Sequence, residues 1–399
     1  MQLEMEDLLD ERIAPSPELD VILPGLNELA AVAWDALQIR PPLLLSSLFG
    51  LPWTWIPPYR RYSEFQILDL WRPLRTLRYL FNVIAPSAPF APPAFGPPFL
   101  NELFWQPTMI LHRPDHTQNP ASFPEEAWFF INGILTNSNL AQINAAYLAA
   151  LFHRPITLIQ NSTSSLWLDL AQCAIGKQWR RTTEPAVKAF PVIYDALKDP
   201  AKERVVVIAH SQGTIIMATV LDLLYKVATP AAPCAPSPAL APAAAPAGPE
   251  PIYQSDEPLN LADFEPLSKD ELAKLEVYCF ATCASVMTHW RRPAKDHPPI
   301  PWIEHFGNEQ DIVARLGMLA PHAEQVGLLI DGPRYVRRGA WGHFLDEHYL
   351  YPIEEKQRQG RKRGGAGGSA PFVALGTAGN SAATPRLYSY INGGKPSGG

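Results

Sequence analysis

Residues 205–214 read VVVIAHSQGT: four β-branched residues, an alanine, then His-Ser-Gln-Gly before a threonine. The β-branched run has the character of a strand buried on both faces. The next residues, TIIMATVLDLLYKV (214–227), place Ile216, Val220, Leu223 and Leu224 on one face of a helix. A serine therefore stands where a strand turns sharply into a helix. Such a turn pushes the side chain up out of the sheet, needs small neighbours to avoid clashes, and brings the N–H groups of the helix N-terminus beside it. This is the geometry of an exposed nucleophile, and Ala209-His210-Ser211-Gln212-Gly213 fits Gly-x-Ser-x-Gly with alanine at the first small position.

The flanking sequence repeats the alternation. AWFFI (127–131) reads as a buried strand, NSNLAQINAAYLAALF (137–152) as a helix and ITLIQ (156–160) as a second strand. Thr183, Glu184 and Pro185 form a helix-start signal, followed by Val187, Phe190, Tyr194 and Leu197 at helical spacing, with Pro191 as an expected kink. RVVVIA (204–209), LEVYCFA (275–281) and PWIEHF (301–306) supply further strands. Apolar strands alternating with helices predict an α/β architecture, a mostly parallel central sheet covered by helices on both faces.

Composition sets the boundaries. Residues 1–120 are rich in proline and aromatics, including Trp34, Trp53, Trp55, Trp71 and Trp105, and read as an N-terminal helical extension. The folded domain is expected over 121–357. A Pro/Ala stretch at 229–251 marks a disordered insertion spanning 228–258, because it holds too little apolar surface to offset the entropy of ordering. The Gly/Arg/Ser-rich residues 358–399 read as a disordered tail. A net charge of −6 without a long basic block argues against a nucleic-acid partner. Cys173, Cys234, Cys279 and Cys283 have neither disulfide-framework nor zinc-site spacing. The acidic start MQLEMEDLLDER lacks signal-peptide organisation, so a cytoplasmic location is expected and the Asn161-Ser162-Thr163 sequon carries no weight. PPLLLSSLFGLPWTWIPP (41–58) is broken by prolines and too short for a membrane span.

On its Ala-His-Ser-Gln-Gly elbow and strand–turn–helix context, the chain resembles the α/β-hydrolase superfamily, in its lipase and esterase-like branch, over residues 121–357. The resemblance implies the chain order nucleophile, acid, histidine, the last two on loops after late strands. Ser211 is then the nucleophile. Asp311, in the FGNEQD loop after the PWIEHF strand, is the acid, with Asp331 as rival, Glu304 and Glu309 as weaker candidates, and a helix cap at Ile312 as its alternative role. His343, after a glycine, is the base. His348 then lies within the following helix, His289, His305 and His322 fit the order less well, and His210 packs locally. The oxyanion hole falls to the backbone N–H groups of Gln212 and Ile134, Gly133 allowing close approach and Asn132 standing where the family often has histidine.

These roles imply hydrolysis of carboxylic esters through an acyl-enzyme, without metal or organic cofactor. Only residues 287–300 separate two late strands, too few for a large cap, so any lid falls to the N-terminal segment. There SEFQILDLWRPLRTLRYLF places Leu70, Leu74, Leu77 and Phe81 on one helical face beside Arg72, Arg75 and Arg78. Such a helix fits a cover for a hydrophobic ester or a peripheral membrane contact. It fits equally a helix packed on the core with its arginines in solvent. Two other outcomes share this sequence: a catalytically silent binding or scaffold protein, and an acyltransferase or thioesterase on the same triad.

Overall fold

The β-branched run lies in the middle of a sheet, which the computed structural model describes together with its covering elements for residues 62–64, 109–113, 123–133, 136, 138–161, 184–228, 259–294, 297–320, 328–362, 371–375 and 384–396. The described residues hold ten strands, β1 (Met109–Arg113), β2 (Glu126–Ile131), β3 (Ile156–Gln160), β4 (Arg204–His210), β5 (Leu275–Phe280), β6 (Val286–Met287), β7 (Trp302–Asn308), β8 (Leu329–Ile330), β9 (Arg334–Arg337) and β10 (Val373–Ala374). Eight of them form one sheet in the order β1-β3-β2-β4-β5-β7-β9-β10, and β6 pairs with β8 apart from it. The six inner strands are parallel, while β1 and β10 close the edges antiparallel. The α/β expectation thus holds.

Alternation along each strand feeds two cores. Val205, Val207 and Ala209 of β4 join Phe129, Ile131, Val277 and Cys279 on one face. There they meet α2 (Glu184–Lys198), which continues through Pro191, and α3 (Gly213–Val227). Val206 and Ile208 join Trp128, Phe130 and Phe280 on the other face, beneath α1 (Ser138–Phe152) and a later helical run. That run is a π-helix, Leu345–Leu350, continued by α6 (Tyr351–Lys362). Two short helices, α4 (Lys269–Ala273) and α5 (Ile312–Leu316), precede β5 and follow β7.

The strand order fixes where a site can form. From β2 the chain builds β3 on one side and then returns to place β4 on the other, so β2 and β4 flank the point where the order reverses. Ligands of open α/β sheets bind outside the carboxyl ends of the strands at such a switch point. Because Ile131 pairs with Ala209, the residues leaving the two strands there are Asn132-Gly133 and His210-Ser211.

Both expected boundaries move. The sheet begins with β1, inside the residues assigned to the extension, and Ser63 and Glu64 are buried in the domain. The tail expected to be disordered contributes α6 as far as Lys362, the edge strand β10, and a 3₁₀ turn, Arg386–Gly393, that buries Leu387, Tyr388, Tyr390 and Ile391. A composition reading averages this short aromatic cluster into its Gly/Ser-rich surroundings. The insertion beyond Ala228 and, past Glu64, the Arg-rich helix expected in 63–81 lie outside the described residues. Among those described, no helix is long and apolar enough to cross a membrane.

The tail also completes a buried ion pair. The Arg154 guanidinium donates to Glu126 Oε2 at 2.7 Å and to the carbonyls of Phe152 and Gly394 at 2.8 Å each, and it lies 3.4 Å above the Phe123 ring. Trp128 Nε1 donates to the same Glu126 oxygen at 2.8 Å. Arg154→Met leaves the buried Glu126 carboxylate only Arg204, 3.8 Å away, as a cation among the described residues, for which a loss of about 3 kcal/mol, the low end for a broken buried pair, is expected in urea unfolding. Adding Glu126→Gln should recover part of it. Equal losses in the single and double variants would show that packing, not charge, carries the effect.

Candidate active site

The turn after β4 is strained at one residue. Ser211 has φ +56°, a left-handed value that costs a non-glycine residue of order 1 kcal/mol or more. Its surroundings hold it there. Ser211 N donates to Phe280 O at 2.9 Å, while Thr214 donates to Ser211 O through N at 2.8 Å and Oγ1 at 2.7 Å. The small neighbours are sterically required: a Cβ on Gly213 would stand 2.4 Å from Ile131 O, and one on Gly133 would stand 2.4 Å from Ser211 Cβ. Ser211 therefore rises out of the sheet as expected, but it is buried, not exposed, because other chain closes over it.

Part of that cover is the loop carrying His343. His343 Nε2 lies 2.9 Å from Ser211 Oγ, and its Nδ1 lies 2.8 Å from Asp311 Oδ2 and 3.1 Å from Oδ1. Gly342 precedes His343 at φ +94°, where a Cβ would strike the His348 ring at 2.3 Å. Asp311 reaches this place because β7 ends at Asn308 and the chain then turns into α5. Its Oδ1 accepts from Val313 N at 2.9 Å and its Oδ2 from Tyr349 Oη at 2.5 Å. The carboxylate thus caps α5 and orients the imidazole together, the two roles weighed for it as alternatives. With a carboxylate facing Nδ1, the imidazole proton belongs on Nδ1, leaving Nε2 to accept from the serine hydroxyl.

The rival residues are held elsewhere. Asp331 accepts from His289 N at 3.1 Å and pairs with Arg292. Glu304 accepts from Arg386 N and Leu387 N, and Glu309 pairs with Arg338. His289 bonds the Pro301 carbonyl, and His305 lies between Thr282 Oγ1 and the Asp331 carbonyl. Burial pushes His305 down to about 4. His348 Nδ1 accepts from Phe344 N at 2.9 Å, and burial lowers that imidazole to about 3, so it stays neutral and braces the His343 loop. His210 Nε2 donates to the His343 carbonyl at 2.9 Å, the local role expected of it, and burial holds it well below the ordinary range. His322 lies outside the described residues.

For the oxyanion hole, Gln212 stands at the head of α3 directly after Ser211. Ile134 lies outside the described residues. Its neighbour Gly133 does pass over the nucleophile, since a Cβ there would stand 3.1 Å from Ser211 Oγ. A network missed by sequence reasoning ties these pieces together. Asn161 N donates to Asn132 Oδ1 at 2.7 Å, Asn132 Nδ2 donates to Asn161 O at 3.2 Å, and Asn161 Nδ2 donates to Gln212 Oε1 at 2.6 Å. Asn132 thus has a side-chain function that the missing histidine did not foretell. The available signal was Asn161's position directly after a buried strand, at the same sheet end as Ser211.

Among the described residues no three His, Cys, Asp or Glu side chains gather as a metal-ligand group, and Cys279 and Cys283 are buried thiols. A surface cleft of about 410 Å³ lined by Arg337, Arg338 and Lys356 includes none of the triad. The three triad side chains are buried, and in a water-poor setting each charge-bearing contact acts at a lower dielectric. Comparison with protein-family models, curated proteins and solved structures yields no match for this chain.

Proposed function

We propose that this chain is a serine hydrolase of carboxylic esters with the α/β-hydrolase architecture. The observation that carries the reading is the unbroken line from Ser211 Oγ through His343 Nε2 and Nδ1 to Asp311 Oδ2, at 2.9 and 2.8 Å. It lies on a strained strand-to-helix turn at the sheet's switch point, in the chain order of that superfamily. A Ser-His pair oriented by a third group is the signature of an activated nucleophile.

The chemistry then runs in two halves. Ser211 Oγ attacks the ester carbonyl carbon while His343 Nε2 takes its proton, and Asp311 stabilises the imidazolium. The oxyanion is met by the Gln212 N–H and by a donor from the loop after β2. As the intermediate collapses the ester C–O bond breaks, His343 returns the proton to the departing alcohol, and the acyl group remains on Ser211. Water then attacks the acyl carbon, His343 takes a water proton, and the acid leaves as Oγ is reprotonated.

Hydrophobic acyl chains are the proposed substrates, an inference that rests on the aromatic-rich N-terminal sequence together with the buried nucleophile. The test is fluorophosphonate labelling followed by a series of p-nitrophenyl esters of increasing chain length. Labelling of the wild type, its loss in Ser211→Ala, and faster turnover of long chains than short ones are expected. A folded wild type that neither labels nor turns over any ester would sink the reading, and short chains favoured over long would sink its substrate part.

A further inference from the structure

Glu64 stands far in sequence from every residue of the triad, yet its carboxylate meets the segment that follows the base. Its Oε1 accepts from Leu345 N at 3.1 Å and from Asn144 Nδ2 at 2.7 Å. Its Oε2 accepts from Asp346 N at 3.1 Å and Glu347 N at 3.2 Å. Three consecutive backbone donors at the head of the π-helix, two residues beyond His343, therefore converge on one side chain. They are orphan donors that a helix start must satisfy, and a carboxylate is the strongest acceptor for them. Neighbouring contacts seat it: Tyr62 stacks on Tyr147 of α1 at 5.4 Å, and Tyr62 N donates to Tyr351 Oη at 3.3 Å. The same π-helix carries Tyr349, which donates to Asp311.

We infer that Glu64 is a positioning residue for the catalytic base: as a carboxylate it clamps the start of the helix after His343, while Asp346 beside it carries a proton. The division follows from the donors. All four hydrogen bonds to Glu64 come from N–H groups, so both its oxygens must accept. Among the described residues Asp346 receives only Asn144 Nδ2, at 3.0 Å on Oδ1, and its Oδ2 is buried with no partner. Two adjacent carboxyls out of water cannot both ionise readily. Burial and then the Glu64 charge raise Asp346 well above the usual carboxylate range, while burial raises Glu64 and its hydrogen bonds from Asn144, Glu347 N and Asp346 N act to lower it. Glu347 also faces the pair and Tyr147 faces Asp346, and among the described residues no cation bonds either carboxyl.

The sign follows. A carboxyl raised in the fold contributes stability that is full below its ordinary value, 3.8 for Asp346, and is lost as pH rises through its raised value. There the pair loses its shared proton, and two buried charges push apart at the helix start. The base loop should loosen there.

The link to activity rests on the ester-hydrolase reading, so the test has two arms: hydrogen exchange at the amides of Leu345, Asp346 and Glu347, and the rate of fluorophosphonate labelling against pH. Glu64→Gln turns an amide N–H₂ toward backbone donors. It should speed exchange at those three amides and slow labelling by about 10- to 100-fold, the scale of a small misplacement of a catalytic group. Asp346→Asn imitates the protonated partner, so it should keep wild-type exchange and labelling at neutral pH and remove the decline expected of the wild type at alkaline pH. Wild-type behaviour of Glu64→Gln in both arms overturns the inference, as does equal damage in Asp346→Asn. If Glu64→Gln does not fold by near-ultraviolet circular dichroism, the pH profiles of wild type and Asp346→Asn decide, and coinciding profiles overturn it. A wild type that never labels defeats the hydrolase reading alone, and the exchange arm still judges the clamp.

Discussion

Ser211→Ala and His343→Ala are each expected to lower ester turnover by on the order of a millionfold, and the double variant no further. The non-additivity is the sharper part of the expectation. His343 Nε2 is within 2.9 Å of one hydroxyl, so without that hydroxyl the imidazole has no proton to take, and without the imidazole the hydroxyl stays a poor nucleophile. Neither change should unfold the chain. Alanine at 211 meets the same φ of +56° that serine already adopts, and the backbone bonds to Phe280 and Thr214 remain. His348→Ala removes an acceptor for Phe344 N but no atom of the triad, so labelling should survive it. Turnover measured with active-site titration checks all four. Activity within tenfold of wild type in His343→Ala would place the base elsewhere.

The parts legible in the sequence were those whose causes are local. A run of β-branched residues can only be buried, and a serine between small residues at its end can only turn sharply, so β4, α3 and Ser211 could be read from residues 204–227 alone. Asp311 and His343 needed the chain order of a resembling superfamily, because nothing near either residue names its partner 32 positions away. What stayed illegible depends on contacts across the chain. β1 has only five residues and β10 only two, edge pairings with no periodicity to detect. Residues 387–391, LYSYI, look like a stray cluster until Tyr390 is seen bonding Glu276 at 2.6 Å and Arg386 reaching the same carboxylate. Glu64 belongs to the same class. A glutamate in an aromatic-rich stretch carries no mark of burial, and its partners lie some 80 to 280 residues on. Gly342 shows the intermediate case: the glycine was visible as a sign of a mobile base, whereas its reason is the His348 ring packed where a Cβ would be.

Asp311→Asn should lower kcat by about 10⁴-fold while leaving KM close to wild type and lowering the melting temperature less than Asp311→Ala does. The separation is possible because the two duties of Asp311 use different chemistry. Capping α5 needs only an oxygen for Val313 N, now at 2.9 Å, and an asparagine oxygen serves, as asparagine caps helices about as well as aspartate. Orienting His343 needs an acceptor facing Nδ1 and a negative charge beside the imidazolium. An asparagine amide that keeps its oxygen on the cap turns N–H₂ toward Nδ1, drives the ring proton to Nε2, and so aims a donor at Ser211 Oγ where an acceptor is required. Asp311→Ala should show the same rate loss together with a cap loss of about 0.5–2 kcal/mol. Tyr349→Phe removes the 2.5 Å bond to Oδ2 and the acceptor of Asn308 N, so it should weaken the fold more than it slows the reaction. Steady-state kinetics and thermal unfolding on the three variants separate the duties. If Asp311→Asn stays within tenfold of wild type in kcat, Asp311 is a helix cap that happens to touch His343, and the charge beside the imidazolium must be sought in another residue.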